Sequence, residues 1–440
     1  MALWVKQSWL LLLLLTGCIS APNFVSGEQS PLLAYFESKE GRIAYVGIDG
    51  NIYVNDQSGS NELQVTTDAK LPTQNDNGGS FRYYQFPTWS RDSQQLAFVG
   101  LNATTQQTED ATLYTANIGD GSAAPTLTEI YNHATRVPFY LYWSPDNENV
   151  TFLSSASNSQ MMLQMAATNG ERTQVLDIGQ PLYWSWAPDG QQLLMHIDGA
   201  TGLERLSFLT VSGNVVEQGL SYGQTRFQAP AWSPDGSRIL LAGETDTAER
   251  GILLTDNEGR LQEVVEPLEE NQVIAFGWAP TSDQFAYIST SNPEAGLIGQ
   301  LVVQSIGENT ERLTIDEPVA AFFWAPDGNQ LAYFVPQQPE QQSSSSGETQ
   351  PLVLSLRLLE VSSGRKTTLT TFQPTPTFVN MIAFFDQYQQ SATIWSPDSK
   401  NLVVSGFYQS PNPEILIVPT ESNLQPRALS NGLIAFWSWR

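Results

Sequence analysis

The chain has 440 residues, 45 of them acidic and 20 basic, for a formal net charge of −25. So negative a surface argues against nucleic acid as a partner, because phosphate contacts require a basic face; it keeps the body soluble and suits cations or basic partner surfaces. Cys18 is the only cysteine, so no internal disulfide can form and stability must come from the core.

Residues 1–17 carry one positive charge, Lys6, then the apolar run Trp9-Leu10-Leu11-Leu12-Leu13-Leu14-Leu15, and end at Leu15-Thr16-Gly17-Cys18. The run is too short to span a bilayer. The pattern looks like a bacterial lipoprotein signal, in which Cys18 is acylated and becomes the first residue. The expectation is a protein of the bacterial cell envelope, anchored in a lipid bilayer through Cys18 and facing periplasm or exterior. Residues 18–40 carry Pro22, Ser26, Gly27, Ser30 and Pro31, the composition of a tether.

Residues 41–440 repeat one motif. Trp232-Ser233-Pro234-Asp235-Gly236 is followed by Ile239 seven places after the Trp, and related copies start at Trp89, Trp143, Trp186, Trp278, Trp324 and Trp395, with Leu96, Val150, Leu193, Phe285, Leu331 and Leu402 at the same offset. Pro presets the first turn dihedral, Asp accepts amide hydrogen bonds, and Gly takes the positive φ. Each copy is therefore strand, tight turn, strand. From Trp143 to Trp324 the copies are spaced 43, 46, 46 and 46 residues, the period of a four-stranded propeller blade. The repeats need no helix.

An eighth copy is split between the chain ends. Gly432-Leu433-Ile434-Ala435-Phe436-Trp437-Ser438-Trp439 reads like Pro181-Leu182-Tyr183-Trp184-Ser185-Trp186, and Gly41-Arg42-Ile43-Ala44-Tyr45-Val46-Gly47 supplies the second strand before an Asp49-Gly50 turn. Joining the two halves closes the ring and leaves no sheet edge. The expected fold is all-β: a β-propeller of eight blades, each of four antiparallel strands, closed by pairing of the N- and C-terminal strands.

These Trp-Ser-Pro-Asp-Gly hairpins resemble the TolB-like, WD40-like β-propellers over roughly residues 40–440. The chain departs from that pattern at Arg91 in the Pro slot, at Thr281-Ser282 in place of Asp-Gly, and at Ser93, Asn147 and Ser399 in place of Gly, swaps expected to loosen turns without removing blades. The resemblance implies a fold used for partner binding, substrate gating or sensing.

Two intervals are long. Trp324 to Trp395 is 71 residues; part of the excess is the Gln- and Ser-rich stretch 336–347, a disordered loop by composition, and the rest is a lengthened approach around Phe384-Phe385-Asp386-Gln387-Tyr388. Trp89 to Trp143 is 54 residues. Such insertions usually decorate a binding face.

Catalytic signals are thin. Gly219-Leu220-Ser221-Tyr222-Gly223 matches a nucleophile-elbow pattern, yet both histidines, His133 and His196, precede Ser221, and the elbow requires a later His. The recurring Asp92, Asp146, Asp189, Asp235, Asp327 and Asp398 share one turn slot, which backbone capping explains. Two isolated histidines and one lipidated cysteine build no zinc centre, and Asn75-Asp76-Asn77-Gly78-Gly79 lacks the spacing of a calcium loop. No metal or cofactor is expected.

One positional pattern rises above this background. Arg82, Arg136 and Arg226 precede their Trp by seven, seven and six residues, in the connections that gather at one mouth of the channel, flanked by Tyr83, Tyr84, Phe139, Tyr140 and Phe227. Arginine beside aromatics is the usual composition of a binding hot spot; the competing explanation is pairing with acidic neighbours. The function expected is a monomeric, non-enzymatic binding propeller that docks an envelope protein, peptide or glycan at the channel mouth. The alternative is a propeller-type hydrolase or lyase, or the gating subunit of a peptidase.

Overall fold

The computed structural model describes residues 40–72, 79–104, 107–119, 124–156, 160–197, 205–224, 228–270, 272–281, 283–292, 296–307, 311–337 and 351–440. The leader, Cys18 and most of the tether lie outside the described residues, as do Arg226, Phe227, Asp76 and residues 338–350.

Each turn is built as its residues dictate. In Trp232–Gly236 the Gly236 amide donates to Ser233 O at 2.9 Å and the Ser233 amide to Arg238 O at 2.8 Å. Asp235 accepts the Ser233 hydroxyl at 2.6 Å and the Ser237 amide at 3.1 Å. The Ser233 hydroxyl, helped by Ser237, holds this carboxyl down at about 2. Asp92, Asp146, Asp189, Asp327 and Asp398 likewise accept the amide two residues on, so all six aspartates are committed to their own turns.

The fifth motif position adopts the same left-handed conformation whether or not it is glycine: φ is 73°, 70° and 70° at Gly190, Gly236 and Gly328, and 63°, 63° and 60° at Ser93, Asn147 and Ser399. The expectation of loosened turns is corrected here. Asn147 Oδ1 accepts the Asp92 amide at 3.3 Å, Ser399 Oγ the Asp327 amide at 3.1 Å, and Ser93 Oγ the Arg440 amide at 3.0 Å. Each replacement ties its turn to the preceding one, which offsets the strain of about 1–2 kcal/mol for a non-glycine residue there.

The tryptophans tie the hairpins together. Indole N–H groups of Trp89, Trp143, Trp278, Trp324 and Trp395 donate to the carbonyls of Phe436, Thr88, Ala231, Gly277 and Phe323 at 2.9–3.3 Å. Each acceptor immediately precedes the tryptophan of the copy before. Trp186 reaches the equivalent carbonyl through Thr151, whose hydroxyl lies 3.1 Å from the indole nitrogen and donates to Tyr142 O at 2.8 Å. A large buried ring with one donor satisfies packing and a neighbouring carbonyl together.

The fold is an all-β propeller. Among the described residues, 31 strands form four sheets of four strands, one of five and one of ten. Neighbouring strands are antiparallel, and most are consecutive in sequence. The ten-strand sheet carries the Trp324 hairpin, the strands after Trp395 and the joined chain ends. Strand Arg365–Pro374 lends Gln373 and Pro374 to strand Asn401–Phe407. Strand Arg427–Trp437 pairs through its first half with Glu414–Pro419 and through its second with Ile43–Gly47. These shared strands run three hairpin units into one sheet. Six sheets result, and the eight-blade count remains an expectation from the tryptophan spacing.

Closure follows the expected plan with one correction. Ile43 lies opposite Trp437 and Val46 opposite Ile434, just as Trp232 lies opposite Ile239 and Trp324 opposite Leu331. Trp437, not Trp439, is therefore the equivalent of Trp186. That moves Trp439 into the slot where other copies carry proline.

The long approach before Trp395 is helical, contrary to the expectation that the repeats need no helix. Helix Pro376–Ala383 starts with Thr375 as N-cap, its hydroxyl accepting the Phe378 amide, and proline at the first position. A second helix, Phe385–Ser391, follows at once. Phe378, Met381, Ile382 and Phe385 are buried, an i, i+3, i+4, i+7 stripe. No helix among the described residues is long and apolar enough to cross a membrane.

Candidate functional site

Helix Phe385–Ser391 lies across the channel. Phe385 packs on Phe322 and Phe323 with ring centroids 4.9 and 6.3 Å away. Gln387 O accepts the Tyr140 hydroxyl at 2.9 Å, Gln389 Nε2 donates to Phe276 O at 3.4 Å, and Gln390 Nε2 donates to Pro230 O at 3.1 Å. One short helix thus touches the strands leading to Trp143, Trp232, Trp278 and Trp324. Gly277 admits it: a Cβ there would stand 2.6 Å from the Gln389 side chain.

Asp386, on this plug, is buried. Its carboxylate accepts the Ala229 amide at 3.2 Å and the Gln387 amide at 3.1 Å. Burial dominates and lifts its pKa to about 6 against those lowering contacts. Burial also raises the Tyr183 phenol, the nearby Asp386 charge adding to it.

Beyond the plug, at the turn end of the same strands, lies a cavity of about 530 Å³, within the usual size range of ligand sites. Gln389 and Gln390 reach it from the plug, and the Trp186, Trp232, Trp278, Trp324 and Trp395 rings form its walls. Its rim is the third position of the motif, taken all the way round: Pro145, Pro188, Pro234, Pro280, Pro326 and Pro397, then Trp439 and Arg91. The two positions that are not proline are stacked, with the Arg91 guanidinium 4.1 Å from the Trp439 ring centroid and 5.9 Å from that of Tyr142. Arg91 Nη2 donates to Gln390 O on the plug. Arg91 is the one charged residue lining the cavity among the described residues.

Of the arginines singled out in the sequence, Arg82 and Arg136 sit at the other end of these strands, and Arg226 lies outside the described residues. Arg82 begins strand Phe81–Trp89; it pairs with Asp68 at 3.0 Å and donates to Tyr84 Oη, Asn102 Oδ1 and Tyr114 Oη. Tyr84 is 2% exposed and gives its hydroxyl to Asp68 at 2.6 Å. Tyr140 is 4% exposed and bonded to the plug. Arg136 approaches Met162 Sδ at 3.9 Å, and its amide donates to His133 Nδ1 at 3.1 Å. Arg82 and Arg136 are thus held by separate partners, and Tyr84 and Tyr140 are committed inside the protein. Acidic pairing explains Arg82. Ser221 lies between strands Val216–Gly219 and Gly223–Gln224, away from any strand-to-helix turn. The signal for the cavity was present in the sequence as the Pro-slot departure at Arg91; the matching departure at Trp439 was hidden by the two-residue offset at the C-terminus.

Fold and cavity together define an all-β propeller with a helix set across its channel. Solved structures similar to the chain include a prolyl endopeptidase at 10% identity, covering 81% of this chain and 50% of that one with a TM-score of 0.52. They also include a putative TolB from Agrobacterium tumefaciens, at 14% identity, 77% and 91% coverage and a TM-score of 0.36. A third is the β-propeller domain of the Trilobed protease from Pyrococcus furiosus, at 12% identity, 80% and 99% coverage and a TM-score of 0.46. At such identities the likeness is one of fold. No protein-family model matches the sequence, and neither does any curated protein.

Proposed function

We propose that this chain is a binding propeller of the bacterial envelope, held to a membrane through acylated Cys18, that seats a peptide segment of a partner protein in the turn-face cavity without chemistry of its own. The observation that carries this reading is the plug: with helix Phe385–Ser391 across the channel, the aromatic cup at the turn face ends blind. The cup favours a peptide over a glycan, because the indole donors of Trp278, Trp324 and Trp395 are already spent on backbone carbonyls and a sugar needs several polar partners.

The rim supplies the test. Arg91 shows that the second turn position accepts residues other than proline, so Pro188→Glu, Pro234→Glu and Pro280→Glu combined should fold and crowd the mouth with charge. Crosslinking in intact envelopes should lose its partner in this variant and keep it when Arg82 and Arg136 are changed to Ala. The reverse pattern would move the site to the opposite mouth.

A further inference from the structure

The rim breaks its own repeat at one corner, and that corner carries the cavity's charge. Of the turn-slot residues around the mouth, six are prolines, and the two replacements, Arg91 and Trp439, stack on each other at 4.1 Å. They come from turns adjacent across the junction of the chain ends. The chain has 45 acidic residues against 20 basic, and Arg82, Arg205, Arg238, Arg250, Arg260, Arg312, Arg357 and Arg365 all pair with carboxylates. Arg91 has no ion pair among the described residues. Its side chain is steered by two aromatic rings and by the Gln390 carbonyl, which carries the guanidinium from the rim to the plug helix with most of its donors uncommitted.

Resting on the binding reading above, we infer that this corner receives the free C-terminal carboxylate of an apolar peptide. A carboxylate matches the planar fork of a guanidinium bidentately, and stacking on Trp439 holds that fork in place. The surrounding indoles and proline rings suit apolar side chains. The blind floor selects a chain end, since a segment running through the cavity would need a second exit that the plug occupies. An internal acidic side chain offers the same charge but carries chain in both directions.

The test uses the full chain in detergent and three peptide probes: acetyl-Ala-Val-Leu-Phe as free acid, the same peptide as C-terminal amide, and acetyl-Glu-Val-Leu-Phe-amide. Titration calorimetry should show the free acid binding at least tenfold more tightly than either amide. Arg91→Pro restores the proline that six other turns carry, so it should fold normally and abolish the preference; Arg91→Gln should do the same. Equal affinity for acid and amide, a preference that survives Arg91→Pro, or a lead for the internal glutamate would each overturn the terminal-carboxylate assignment. If all three peptides bind alike and the triple glutamate rim variant loses them, the binding reading stands while this inference falls. Absence of binding by every probe at millimolar concentration counts against both.

Discussion

Ser438 and Arg42, separated by 396 residues, exchange two hydrogen bonds: the Arg42 amide donates to Ser438 Oγ at 2.8 Å and the Ser438 amide to Arg42 O at 2.7 Å. Ser233 and Arg238 make the same exchange within one continuous hairpin, at 3.0 and 2.8 Å. The chain ends therefore rebuild, without a covalent turn, the hairpin written elsewhere in one piece.

That junction should be the ring's most informative weak point. Trp437→Ala removes a fully buried indole and should cost about 3–5 kcal/mol, whereas Ser438→Ala, which loses the Oγ acceptor of the Arg42 amide but keeps its own amide bond to Arg42 O, should cost about 1–2 kcal/mol. Urea denaturation measures both. A Trp437→Ala cost below that of Ser438→Ala would show that closure contributes little packing.

At Asn147 two effects oppose. Glycine there relieves a φ of 63° but forfeits the bond to the Asp92 amide, so Asn147→Gly should be neutral within about 0.5 kcal/mol. Asn147→Ala keeps the strain and loses the bond, and should destabilise by about 1–2 kcal/mol. Thermal melts of the pair separate turn strain from the link between turns.

The indole ties can be weighed by Trp143→Phe, which keeps an aromatic ring and leaves the Thr88 carbonyl, now 2.9 Å from Nε1, without its donor. A loss of about 1–3 kcal/mol is expected. Loss near zero would assign the tryptophan to packing alone.

Asp386 makes stability fall as pH rises. Its folded pKa, about 6 through burial, exceeds its ordinary 3.8, so the folded state holds the proton more tightly; the resulting stabilisation is complete below pH 3.8 and is lost as pH rises through 6. A shift of about two units corresponds to about 3 kcal/mol. Asp386→Asn should therefore gain that much relative to the parent between pH 4 and pH 7. A difference independent of pH would show that the carboxyl does not titrate in this window.

The helical plug was legible in part. Thr375-Pro376 followed by Phe378, Met381, Ile382 and Phe385 is a capped, apolar-striped helix pattern, although the regular strand repeat around it leads to the expectation of a lengthened approach without a helix. Its place across the channel was not legible, since nothing local to Gln389 or Gln390 indicates that they meet Phe276 and Pro230, residues 113 and 160 positions away.

The sequence alone determined the hairpin, because Trp, Pro, Asp and Gly at fixed offsets each act through a backbone neighbour a few residues away, and repetition of such local rules specified a closed all-β ring. Which mouth offers a cavity was decided only by the tertiary structure. Arg82 and Arg91 look alike as arginines beside aromatics; Asp68 neutralises one and an aromatic stack at the rim holds the other, and that difference depends on contacts between distant segments, which local spacing does not encode.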